Sequence, residues 1–89
     1  MKAVITVIGK DSVGILAKVS EACSKADVNI VEVTQSVLQD MFAMIMLVGI
    51  DKSNIGFEQL RTNLKAVGES TNTKVHVMHE DIFNSMHRI

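Results

Sequence analysis

Gly9-Lys10-Asp11-Ser12-Val13-Gly14-Ile15-Leu16 is the point at which one periodicity gives way to another. Before it, Lys2-Ala3-Val4-Ile5-Thr6-Val7-Ile8 is β-branched and nearly all apolar, the composition of an inner strand. After it, Leu16, Val19, Cys23 and Ala26 recur as one helical stripe, with Lys18, Glu21 and Lys25 on the other side. A strand that runs through a polar, glycine-bracketed turn into a helix aims backbone N–H groups at one spot. The helix dipole adds partial positive charge there, so the junction suits a carboxylate or another small anion. Asp11 or Ser12 is expected to cap the helix.

Downstream, Asp27-Val28-Asn29 breaks the helical period and the chain alternates by two. Val31, Val33 and Val37 face one way and Glu32, Thr34 and Ser36 the other, a strand with one wet face. Gln39-Asp40 is a short turn. Met41 to Ile50 is apolar at every position except Gly49, which predicts a strand buried on both faces. Ser53 or Asn54 is expected to cap a second helix with the stripe Phe57, Leu60, Leu64 and Val67, and Gly68 is placed to end it. Glu69 to Asn72 turns the chain, and Lys74 to His79 is a last strand with Val75 and Val77 inward. Glu80 to Ile89 sets Ile82, Phe83, Met86 and Ile89 on one side of a short helix.

The order is βαββαβ plus a C-terminal helix. Right-handed crossovers turn it into an α+β, ferredoxin-like sandwich: a four-stranded antiparallel sheet with both helices on one face. The first and third strands would be central, and they are the two continuous apolar runs. Residues 1–80 are expected to form the domain, and 81–89 a helical tail packing on it or on a dimer. Ala43, Ile45 and Leu47 would face away from the helices, in a patch larger than a monomer usually exposes. The C-terminal helix and a second chain are both expected to cover it, in a homodimer.

Eighty-nine residues make one domain. A chain of this length buries only about 60–65% of its unfolded surface, so association would help it. Apolar content of 47% against 21% charged is globular. Nine basic and ten acidic residues, with Glu80-Asp81 the sole adjacent pair of like charge, argue against a duplex-DNA binder or a polybasic membrane surface. The single cysteine, Cys23, excludes an internal disulfide framework and a multi-cysteine zinc site. The N-terminus does not read as a signal peptide, and no apolar segment approaches the ~20 residues that span a bilayer. The expected location is cytoplasmic.

Read together, Gly9 to Val19 and Ala26 to Gln35 resemble the ACT domain, the small regulatory module that senses amino acids in many metabolic enzymes and regulators. The flavour is closest to glycine-cleavage repressor-like proteins and small stand-alone ACT proteins. The family's first turn usually reads Asp-Arg-Pro-Gly-Ile/Leu, and its second strand opens with Gly-x-Asn-Ile. Asp11, Gly14, Ile15 and Leu16 match the first, and Asn29 and Ile30 the second; the likeness runs from residue 2 to about 79. Ser12-Val13 replaces the Arg-Pro pair, removing a basic side chain from the loop. Asp27 stands where the family has glycine, and aspartate tolerates a left-handed conformation better than most residues. The resemblance implies the fold, dimerisation and a partner that is a metabolic enzyme or regulator.

The candidate ligand-binding residues are Asp11, Ser12, Val13, Gly14 and Ile15, with Asn29 and Ile30 expected beside them and a dimer mate closing the pocket. N–H groups near Val13 to Ile15 would hold a carboxylate. Asp11 would repel an anion unless it met an ammonium group, which favours a whole amino acid over phosphate. The plainer alternative is that Gly14 serves close helix–strand packing and Asp11 only caps. His76, His79, Glu80, Asp81 and His87 invite a metal reading, but strand positions three apart point to opposite faces, so His76 and His79 cannot chelate one ion. A site of His79 with Asp81 or His87 would require the chain to turn there; surface or cap histidines are the simpler reading. Cys23 lies on the apolar stripe and reads as a buried structural thiol.

Other functions of the same topology lack their chemistry. Acylphosphatase-like enzymes need an arginine in the first loop, which offers only Lys10, with Arg61 and Arg88 elsewhere. Copper chaperones need Cys-x-x-Cys there. RNA-recognition domains stack bases on aromatics of the first and third strands, where Phe42 stands alone. Two readings remain: a non-catalytic, amino-acid-binding regulatory module acting as a homodimer, and a purely structural interaction subunit without a ligand. Neither implies a cofactor or a metal.

Overall fold

Three antiparallel strand pairings fix the frame. The computed structural model describes residues 1–10 and 14–86, apart from the side chains of Leu38 and Met86. Along the chain run β1 (Lys2–Gly9), α1 (Ile15–Lys25), β2 (Asn29–Leu38), β3 (Met41–Gly49), α2 (Phe57–Thr71), β4 (Lys74–His79) and α3 (Glu80–Met86). The sheet order is β2-β3-β1-β4, so the two continuous apolar runs are central, as the ferredoxin-like topology requires. Ala3, Ile5 and Val7 of β1 and Phe42, Met44, Met46 and Val48 of β3 pack with Ile15, Val19 and Cys23 of α1 and Leu60 and Leu64 of α2. Each such large side chain stabilises the fold by about 1.5–3 kcal/mol through burial.

The stripe on α1 begins one residue earlier than the sequence suggests. Ile15 is buried and Leu16 is 38% exposed, because the buried face repeats through Ile15, Val19, Cys23 and Ala26. The N-caps differ too. Gly14 occupies the cap of α1 and Gly56 that of α2, and neither offers a side-chain bond. Asp11 and Ser12 lie outside the described residues. Ser53 instead makes a local turn with Ile55, while Asn54 donates from Nδ2 to Lys25 O and Asp27 Oδ2, both at 3.0 Å. Asn54 thereby ties the α2 entry to the exit of α1.

Both long helices end in the same six-residue closure. At α1, Val28 N donates to Cys23 O at 2.9 Å and Asp27 N to Ser24 O at 3.1 Å. At α2, Thr73 N donates to Gly68 O at 2.8 Å and Asn72 N to Glu69 O at 3.4 Å. This is the Schellman pattern, whose left-handed residue is usually glycine. Here Asp27 (φ 56°) and Asn72 (φ 58°) take that role, short polar residues that tolerate it. Gly68 therefore does not end α2; it sits buried one turn before the end. A Cβ there would lie 2.8 Å from Val75 Cγ2 and 3.0 Å from Thr73 O, so the glycine lets α2 approach β4.

β2 departs from simple alternation. The register passes from Ile30↔Val48 to Glu32↔Leu47, leaving Val31 as the extra residue of a bulge. Ile30, Val33 and Val37 consequently share the helix side, while Glu32, Thr34 and Ser36 face the other. At the sheet edge the helices reach only the start of the strand, where Ile30 packs on the core; every residue from Val31 to Val37 is exposed, so both faces are wet there. The expectation of one dry face fails for that reason.

β3 is likewise dry on one face only. Opposite the helices, α3 packs on the Lys2 end of the sheet, with Phe83 and Asn84 beside Val4 and Leu47. Val4 is 3% exposed there, whereas Ile45, which lines one cleft with these residues, and Ile8 and Met41 towards the Gly9 end remain more than 40% exposed. Ile82, expected on the packed side of the tail, is 52% exposed instead.

Gly68→Ala should destabilise the protein by about 1–3 kcal/mol through overpacking, against a helix-propensity gain of about 1 kcal/mol at an exposed site. Urea titration measures the sign directly.

Candidate ligand-binding site

The junction between β1 and α1 owes its shape to two glycines with different tasks. At Gly9 a Cβ would stand 2.5 Å from Thr73 Cγ2, so glycine is needed for close approach. At Gly14 nothing among the described residues lies within 4 Å of such an atom, and the backbone sits at φ 77°, ψ −4°. That left-handed conformation is by itself enough to favour glycine there. Lys18 N donates to Gly14 O at 3.0 Å, the first rung of α1. Gly14 is exposed and Ile15 buried, so the first turn of α1 is anchored by Ile15 while its N-terminal end meets solvent. Asp11, Ser12 and Val13 lie outside the described residues.

Strand register places the other candidate residues far away. Gly9 pairs with Phe42 and Lys2 with Gly49, and Gly49 pairs in turn with Asn29. Asn29 therefore sits at the Lys2 end of the sheet, at the opposite end from the junction. At about 3.3 Å per residue, the length of β1 separates the two by about 23 Å. Within one chain, Asn29 and Ile30 do not lie beside Gly14. The βαββαβ order already implied this, because α1 carries the chain back to the other end of the sheet before β2 begins, and the motif reading overlooked it. A shallow cleft of about 610 Å³ opens at the Gly9 end among Gly9, Lys10, Met41, Asn72 and Lys74. A second, of about 380 Å³, lies at the other end among Asp27, Asn29, Gly49, Asp51 and Lys52. Sequence reasoning missed Asn72 and Lys74, whose proximity to Gly9 follows only from the pairing of β4 with β1.

His76 pairs with Thr6 and His79 with Ala3, so they occupy opposite faces. His79 stacks on Phe57 at 4.1 Å between centroids, and the Arg61 guanidinium lies 5.5 Å from that ring. His87 lies outside the described residues. Among the described residues, no three His, Cys, Asp or Glu side chains are grouped to hold a metal ion, and no helix is long and apolar enough to cross a membrane. Cys23 is fully buried in α1, and burial pushes its thiol up to about 11. That makes it a packing residue and a poor nucleophile at neutral pH.

A family model described as "ACT domain" matches residues 2–78. A UPF0237 protein of Listeria innocua is 42% identical over 89 residues, covering all of both chains. One from Methanocaldococcus jannaschii is 41% identical over 88 residues, 99% of this chain and 98% of its own. Among solved structures, an ACT domain protein from Streptococcus pneumoniae superposes with a TM-score of 0.81 at 37% identity, covering 93% of each chain. A putative glycine cleavage system transcriptional repressor superposes at 0.74 with 25% identity, over 85% of this chain and 43% of that one. The chain belongs to the ACT domain family, and within it to the UPF0237 proteins. ACT domains are in general small-molecule-binding regulatory modules, and the match extends through both β1–α1 and the opening of β2.

The raised Cys23 pKa has a definite sign. The protonated thiol is favoured in the fold, so its contribution is complete below the unfolded value of about 8.5 and is lost as pH rises towards about 11. Native protein at pH 8 should therefore resist a thiol-specific chromogenic reagent and react fully once unfolded in urea.

Proposed function

We propose that this protein is a non-catalytic, amino-acid-binding regulatory module that works as a homodimer, with each ligand site divided between two copies. The observation that carries this reading is the separation of Gly14 from Asn29, the two family-matched landmarks, at opposite ends of one sheet. A divided site explains why both are present. β2 supplies the means: it is an edge strand of ten residues, with Val33 and Val37 exposed beside its open edge. Such an edge is a template for pairing with another chain. If β2 pairs antiparallel with its counterpart about a two-fold axis, the beginning of one strand lies beside the end of the other. The partner's Asn29 then comes to the Gly9 end of the first copy, where the α1 junction lies.

In that arrangement the first-turn N–H groups near Val13 to Ile15 and the α1 dipole hold a carboxylate. Asp11 takes the ammonium group, and Ser12 lines the turn. The partner's Asn29 offers an amide that can donate and accept, while the partner's Ile30 closes the apolar side. Gly14 would leave room for the ligand, since among the described residues no atom outside its chain neighbours lies within 4 Å of where a side chain would begin. Nothing in this scheme makes or breaks a covalent bond. Binding would tighten or loosen the two-fold junction and thereby alter the grip on a metabolic enzyme or regulator.

Mixed dimers test the division. Calorimetry on wild-type protein should give two amino acids per dimer, and Gly14→Val or Asn29→Ala homodimers should give none. A Gly14→Val/Asn29→Ala heterodimer retains one intact site and should bind one. Absence of any amino-acid binding to the wild type at millimolar concentration would contradict the reading, and a heterodimer that binds none would contradict the divided site.

A further inference from the structure

The cleft at the Gly9 end is walled by elements that two glycines allow to converge. Gly9 admits Thr73 and Gly68 admits Val75, so the end of β1, the end of α2 and the start of β4 close around one space of about 610 Å³. That volume is within the range of small-molecule sites. Ile8 and Met41 supply its apolar lining, and both side chains are exposed. Lys10, Asn72 and Lys74 stand around them, and Glu69 is the one carboxylate among the described residues of the lining.

The fold does not use these polar side chains. α2 finishes here, and its carbonyls at Val67, Gly68 and Glu69 already accept bonds from Ser70 Oγ, Thr71 Oγ1, Thr73 N and Asn72 N. Thr71 and Thr73 share a hydrogen bond between their hydroxyls at 2.9 Å. The left-handed Asn72 closes the helix with its main chain, which leaves its side-chain amide over. Among the described residues, neither Lys10 nor Lys74 makes an ion pair or a side-chain hydrogen bond, and neither meets Glu69 although all three line one cleft. Helix capping therefore does not account for the lysines. Two ammonium groups and an amide beside apolar side chains suit an anion joined to an apolar body.

We infer that this cleft binds a small phosphate monoester carrying an apolar group. Lys10 and Lys74 hold the phosphate, Asn72 donates to one of its oxygens, and the apolar group lies on Ile8 and Met41. An ammonium is a point charge with three donors, which matches the several acceptor oxygens of a phosphate. Methionine adapts to the shape of whatever lies on it. Glu69 opposes the anion and so limits affinity. The ligand is a free metabolite and not a lipid headgroup: an anionic membrane surface takes a cluster of roughly four to eight basic residues, and this cleft has two lysines. Among the described residues its lining includes none of Gly14, Ile15, Asn29 and Ile30, so the site stands whether or not an amino acid binds at the α1 junction.

Proton–nitrogen correlation spectra of the full chain, titrated with phenyl phosphate, inorganic phosphate and phenol, test this. Phenyl phosphate should shift the amides of Gly9, Lys10, Asn72, Thr73 and Lys74, and phenol should shift none. The buried ring should let phenyl phosphate saturate at a concentration about tenfold lower than inorganic phosphate. Lys74 is exposed, so its substitution spares the fold. Lys74→Ala should weaken phenyl phosphate about tenfold and Lys74→Glu should abolish its binding, whereas Glu69→Gln should tighten it by removing a facing like charge. Amino-acid titrations should be unchanged by Lys74→Ala. Vesicles of phosphatidylcholine with phosphatidic acid should not sediment the protein. The inference is overturned if phenyl phosphate leaves these amides unmoved, binds no tighter than inorganic phosphate, or binds wild type and Lys74→Glu equally. Capture by the vesicles without binding of phenyl phosphate would overturn it too.

Discussion

Everything in this structure depends on one layer of contact: the packing of Ile5, Val7, Met44 and Met46 against the inner sides of α1 and α2. A chain of 89 residues can afford one such layer and little more. The helices cover the centre of one sheet face. They leave β2 wet on both sides and half of the opposite face bare. The exposed surfaces are therefore a consequence of how little chain there is, and in the proposed function one of them, the β2 edge, is where a second copy pairs. Stability and function meet at that constraint.

Glycine positions show how the core geometry reaches the site. Gly9 and Gly68 both press against the start of β4, at Thr73 and Val75, and so hold the end of α2 close to β1. Gly14 instead has a left-handed backbone, which favours glycine whatever surrounds it. The first two are packing glycines, and the third serves backbone conformation at a helix start. The same residue type thus does two jobs, and only the surroundings tell them apart. Ser12 and Val13, in place of the family's Arg-Pro, leave recognition at this turn to main-chain groups and to Asp11 in the proposed function.

Legibility in the sequence followed periodicity. β1 and β3 announced themselves as unbroken apolar runs, and the sheet order follows from them. The tolerance of Asp27 for positive φ was also readable, since it rests on a property of one side chain. The bulge at Val31 was hidden, because one added residue leaves local alternation intact while moving Ile30 to the other face. Gly68 looked like a helix terminator because its real constraint, Val75, arrives from another element. Cap residues were misjudged for a related reason: Asn54 serves Asp27 across a turn instead of its own helix. The distance between Gly14 and Asn29 within one chain was the largest omission, since the sequence reading set Asn29 and Ile30 beside the first loop.

The claim at the centre is that the α1 junction of one copy meets the opening of β2 from another. An isotope-filtered nuclear Overhauser experiment on a one-to-one mixture of labelled and unlabelled chains addresses it directly. Cross-peaks between chains are predicted from Asn29 and Ile30 to Gly14 and Ile15, with Val33 and Val37 reporting the paired edge. A self-associated sample with no transfer between chains at these residues would contradict the account.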